Sequence, residues 1–128
     1  MNTKSRIFLS IPMLAVLSIL SSCQITPALS HMPDFAQGQV HTILFSSNDN
    51  HNKERAYYDA LLELQKKYPD KLSSIKIIQK DNTDMVDYFK VSTFPTLIIM
   101  YGNKVSVRIE GQKDTDKITE AIEPVYEQ

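Results

Sequence analysis

From Val40 onward, apolar and polar positions alternate in a way that marks out seven elements. Val40-His41-Thr42-Ile43-Leu44-Phe45 is a β-branched and aromatic run closed by the polar stretch Ser46 to Asn50, which predicts a buried strand and a loop. From about Asn52 to Tyr68, the residues Tyr57, Leu61, Leu64 and Tyr68 recur at helical spacing, and Tyr58, Ala60 and Leu62 widen the stripe. Pro69-Asp70 ends that helix. Ile75 to Ile78 predicts a second strand. Thr83 to Lys90 predicts a short helix, with Asp81 or Thr83 as its cap and Asp84 at the positive end of its dipole. Thr96 to Tyr101 is almost continuously apolar, as a central strand covered on both faces must be. Gly102-Asn103 then predicts a two-residue hairpin turn. In the returning strand Val105, Val107 and Ile109 alternate with Ser106 and Arg108, so it is covered on one face and lies at or near an edge. After Gly111, Asp114 or Thr115 caps a last helix with Ile118, Ala121, Ile122 and Val125 inward. The order β-α-β-α-β-β-α predicts a right-handed parallel unit followed by an antiparallel pair. The expected fold class is an α/β sandwich, a central mixed sheet with helices on both faces.

Upstream the pattern differs. Lys4 and Arg6 precede Ile7 to Leu20, a 14-residue, mostly apolar run without charge. It has the length of a signal segment and is shorter than the roughly 20 residues a membrane span needs. It ends in Leu20-Ser21-Ser22-Cys23, which resembles the lipobox of bacterial lipoproteins. The resemblance implies cleavage before Cys23, diacylglycerol on its thiol and often acylation, such as palmitate, at the new amino terminus. Residues 1–22 are then a signal peptide, 23–39 a lipidated N-terminus and tether, and 40–128 the folded domain. Gln24 to Gln39 holds two Pro, one Gly and no clear period, and reaches at most about 55 Å when stretched. The expected location is a bacterial cell membrane, with the domain facing outward. In a cell with two membranes, Gln24 after the cysteine favours the outer one, because it is not an Asp-type retention signal.

Composition then removes whole classes of chemistry. With 14 basic and 15 acidic side chains the net charge is -1, so bulk electrostatics offers nothing to a nucleic acid. Loss of Lys4 and Arg6 with the signal segment would leave 12 basic side chains against 15. A single cysteine cannot form an internal disulfide, a Cys-x-x-Cys pair or a zinc cluster.

The element order, together with Tyr88-Phe89-Lys90-Val91-Ser92-Thr93-Phe94-Pro95-Thr96-Leu97-Ile98-Ile99-Met100-Tyr101-Gly102-Asn103-Lys104, resembles the thioredoxin family over roughly Val40 to Tyr126. The resemblance implies that the Phe94-Pro95 bond is cis. It also implies a redox Cys-x-x-Cys where the first strand's loop meets its helix, and here the chain departs from the family. Counted from the strand, Asn50 and Lys53 hold the two cysteine positions. Counted back from the helix end, His51 and Glu54 hold them. Neither register supplies the thiolate that disulfide exchange requires.

Other chemistries find little support. Ser46 or Ser47 beside His51 lacks the third group and the Gly-rich elbow of a hydrolase. Asp49, His51 and Glu54 could hold a cation weakly, though a solvated capping loop accounts for them as well. Glu54 also suits the positive end of the helix dipole. Active thioredoxins hold an extended peptide along the loop before the cis proline, a backbone contact that needs no cysteine. By resemblance the groove here is Thr93, Phe94 and Pro95 facing Asn50, His51, Asn52 and Lys53. Phe94 either offers an apolar contact to a partner or packs on the first helix. The expectation is a redox-inactive, membrane-anchored module without catalytic residues, cofactor or metal. Its partners are the bilayer, through acylated Cys23, and another membrane or surface protein, with no nucleic acid. An accessory role in an envelope thiol-redox system, or a small ligand or metal at the His51 loop, is the alternative.

Overall fold

The computed structural model describes residues 35, 37–49, 51–73 and 75–128. The seven predicted elements are all present: β1 (Val40–Ser46), α1 (His51–Lys67), β2 (Ile75–Gln79), α2 (Thr83–Tyr88), β3 (Thr96–Tyr101), β4 (Lys104–Glu110) and α3 (Thr115–Tyr126). The strands form one mixed sheet in the order β2-β1-β3-β4. β1 pairs parallel with β2 and antiparallel with β3, and β3 pairs antiparallel with β4.

The sheet has two covered faces because successive side chains of a strand point opposite ways. On one face Leu44, Leu97, Ile99 and Ile109 pack with Tyr57, Leu61 and Leu64 of α1 and Ile118, Ile122 and Tyr126 of α3. On the other face Ile43, Phe45, Ile98 and Met100 pack with Met85 and Phe89 around α2. Burying each of these larger side chains contributes about 1.5–3 kcal/mol. The first face also encloses a polar pair, the hydroxyls of Thr42 and Tyr126, which share a hydrogen bond of 2.5 Å.

Several local expectations are corrected. Asn82, not Asp81 or Thr83, caps α2, its side chain accepting from the Met85 N–H at 3.3 Å. Leu62 and Ala121 point outward, since a helix lying on a sheet buries a narrower stripe than the apolar positions suggest. In β4 the register passes from Ile99↔Val107 to Met100↔Val105, which leaves Ser106 unpaired. That bulge breaks the simple alternation and turns Val105 out, 43% exposed. Phe35, assigned to the tether from the sequence, is buried against the α2 face, with its ring 5.2 Å from His41 and 6.1 Å from Phe89.

Candidate functional site

Phe45 lies opposite Thr96 and Val40 opposite Tyr101. The end of β1, the start of β3 and the end of β4 therefore share one end of the sheet. The start of β1 and the β3–β4 turn share the other, roughly 20 Å away along seven residues. All the described residues of the predicted groove belong to the first end. Cys23 and Asn50 lie outside the described residues.

The turn from β1 into α1 is closed by Glu54, which is only 2% exposed. Its carboxylate accepts from Ser46 Oγ and from the Ser47 N–H, both at 2.8 Å. Glu54 is thus more than a partner for the helix dipole. It is turned inward, away from exposed His51 and from Asp49, whose nearest cation is Lys80 at 3.9 Å. The three side chains do not converge on a cation. Among the described residues no group of three or more His, Cys, Asp or Glu is placed to hold a metal.

The loop before β3 contains the cis Phe94-Pro95 bond. Its carbonyls are held on both sides of Phe94. Thr96 Oγ1 donates to the Thr93 carbonyl at 2.6 Å, and the Gly111 N–H donates to the Pro95 carbonyl at 2.8 Å. Between them the Phe94 N–H and C=O have no hydrogen-bond partner among the described residues. The Phe94 side chain is half-buried and packs against the α2-side core, not on α1 as one of the two expectations had it. Thr93 is exposed and Pro95 buried.

Arg108 of β4 supports this loop from below. Its Nη1 and Nη2 donate to the carbonyls of Phe89 and Lys90 at 2.8 and 3.0 Å, while Glu110 orients its Nε at 2.6 Å. Lys90 sits at φ 52, the left-handed turn that ends α2, and the Val91 N–H returns to the Val86 carbonyl at 2.9 Å. Arg108→Ala should lower the unfolding free energy by about 1–2 kcal/mol in a urea melt, the worth of charge-assisted bonds at a partly exposed site. Arg108→Lys should recover little of it, because one ammonium cannot reproduce the two-pronged contact. An unchanged midpoint in Arg108→Ala contradicts this role.

Gly111 joins the parts. It adopts φ 73, a conformation that favours glycine, and a Cβ there would stand 3.5 Å from Thr93 Cγ2. Its N–H reaches Pro95, and its carbonyl accepts from the Tyr57 hydroxyl of α1 at 2.5 Å. Asn52, which is exposed, and Lys53, which is half-buried, line a cavity of about 430 Å³ whose far wall is Gln112 to Asp116. Thr93 and Pro95 thus meet Gly111, whereas Asn52 and Lys53 meet the loop that follows it. Sequence reasoning missed Glu54 as a clamp, Arg108 and Gly111. Only Gly111 carried a signal, as a glycine between a strand and a helix cap.

A mixed sheet covered by helices on both faces, a cis proline opening a central strand, and no thiol at the head of the first helix define a thioredoxin-like domain without the redox pair. The chain belongs to the thioredoxin family: the family model "Thioredoxin" matches residues 55–124, more than half of the chain. That match begins at Arg55 in the first turns of α1, immediately after the positions where the redox cysteines would lie. The chain is 35% identical over 103 residues to a protein named Pal-related lipoprotein of Bacillus subtilis (strain 168), covering 78% of this chain and 80% of that one. Among solved structures it is similar to thioredoxin O2 of Arabidopsis thaliana in the oxidized state (21% identity, TM-score 0.55, 70% of this chain and 76% of that one). It is also similar to Fasciola hepatica thioredoxin (19% identity, TM-score 0.56, 69% and 82%). These structural likenesses establish the fold.

Proposed function

We propose that this protein is a lipid-anchored, redox-inactive thioredoxin-like module that binds another protein at the outer face of a bacterial membrane. The observation that carries the reading is the Phe94 backbone N–H and C=O, which have no hydrogen-bond partner among the described residues and are held between two anchored carbonyls at the end of the sheet where the family's chemistry resides. An extended segment of a partner can pair with that N–H and C=O as an added strand. Thr93 and the cavity beside Lys53 then supply side-chain contacts to either side. Two facts support the rest of the reading. The only cysteine is Cys23, in the lipobox-like stretch, and a relative at 35% identity is named a lipoprotein. Lipidation occupies the one thiol, and the domain keeps the recognition surface without the exchange reaction.

Photo-crosslinking in cells from Thr93 and Lys53, with Glu120 on α3 as control, tests this. The expected result is one discrete protein adduct from both positions and none from Glu120. Equal or absent adducts at all three positions overturn the binding face.

A further inference from the structure

At the end of the sheet away from Phe94, apolar side chains stand exposed. Tyr101, the last residue of β3, is 56% exposed, and Val105, turned out by the bulge, adjoins it. Both line an open depression of about 840 Å³ together with Val40, Val125, Lys71 and Lys104. The chain reaches the domain at this same end. Gly38 and Gln39 border the depression, and the Gln39 carbonyl accepts from the Gly102 N–H at 3.0 Å. Cys23 lies twelve residues before buried Phe35, so the intervening chain spans at most about 40 Å.

From this placement we infer that the Tyr101–Val105 end of the domain rests on the lipid bilayer to which Cys23 is attached. The inference depends on the lipid anchor proposed above. The side-chain types suit an interface. A tyrosine ring has an apolar body and a polar tip and collects at the headgroup level. A lysine lays its stem on apolar surface and keeps its ammonium in water or on phosphate. Lys104 is exposed beside the turn. Lys71 holds the Tyr126 and Gln128 carbonyls at 2.7 and 2.5 Å, which leaves one ammonium proton for an outside acceptor. Asp70 borders the same depression. Glu123 and Glu127, at the end of α3, also lie at this end, where Lys67 and the Tyr68 hydroxyl engage them, whereas Asp49, Asp81, Asp114 and Asp116 belong to the loops and helix starts at the other end. A patch this small would not hold a free domain to a membrane. A short tether makes its contact intramolecular, where weak contacts suffice. In this pose Phe94 points away from the bilayer, roughly 20 Å further out along β1.

The chain contains no tryptophan, so one introduced indole reports on one place. The lipidated full chain carrying Tyr101→Trp or Lys117→Trp is reconstituted into vesicles of phosphatidylcholine and phosphatidylglycerol with brominated acyl chains. Lys117 lies in the first turn of α3, at the Phe94 end. The expected result is that Tyr101→Trp loses about half of its fluorescence and Lys117→Trp keeps its own. Adding Val105→Asp to Tyr101→Trp should restore most of the lost signal while the chain still floats with the vesicles. Flotation without quenching at either position overturns the docked pose and leaves the anchor standing. Equal quenching at both positions overturns the orientation. Failure to float overturns the anchor and the pose together.

Discussion

Between pH 10 and pH 12 the domain is expected to lose about 5 kcal/mol of unfolding free energy through two tyrosines. Burial pushes the Tyr57 hydroxyl up from 10.0 to about 12, with the nearby Glu110 carboxylate adding to it. Burial does the same to Tyr126, against a smaller opposing effect of its hydrogen bond to Thr42. Both folded values lie above the unfolded one. The stabilisation is therefore fully present below pH 10 and is lost as pH rises through 12, because in that window the folded state holds protons that the unfolded state has released. A shift of two units is roughly 2–3 kcal/mol per group. Urea melts at successive pH values, followed with tyrosinate absorbance, read this directly. Lysines also lose charge in this range, and Tyr126→Phe separates the contributions. It should cost about 1 kcal/mol at neutral pH, where the Thr42 hydroxyl loses its partner, and should roughly halve the alkaline slope. A slope unchanged in Tyr126→Phe contradicts the assignment.

Glu54→Ala is the substitution with the largest expected cost, about 3 kcal/mol at neutral pH. It removes the acceptor of the Ser46 hydroxyl and of the Ser47 N–H, both in buried residues. Each orphaned buried donor costs about 1–3 kcal/mol, partly offset because a desolvated carboxylate is removed as well. Glu54→Gln tests the chemistry apart from the volume. Its amide oxygen can satisfy only part of what two carboxylate oxygens do, so a loss of about half is expected. The turn from β1 into α1 positions Asn52 and Lys53, so crosslinking from Lys53 should fall in Glu54→Ala more than the stability loss alone explains. A melt within 1 kcal/mol of the parent contradicts the clamp.

The strands and helices were legible because their apolar periods are long and each agrees with its flanking turn residues. Thr96 to Tyr101 read as a central strand, and it pairs on both sides. What stayed hidden depends on contacts distant in sequence. The partner of Glu54 lies across a turn, that of Arg108 across a hairpin, and those of Gly111 in α1 and in the loop before β3. Local spacing carries no trace of them. The bulge at Ser106 was invisible for a different reason, since Val105, Val107 and Ile109 fit a regular strand equally well. The site was legible only through its family likeness. The likeness implied the cis Phe94-Pro95 bond, which is present, while the packing of Phe94 toward α2 had to be seen.

Under the proposed lipid anchor, the burial of Phe35 would limit how far the domain can reach. A tether free to Gln39 would reach about 55 Å, and one fixed at Phe35 about 40 Å. The volume swept around a lipid anchor scales with the cube of that length, so one buried aromatic side chain reduces it to less than half. With the proposed anchor, a partner in the same membrane would meet a local concentration more than twofold higher, and one held farther out than the shortened reach would never be met.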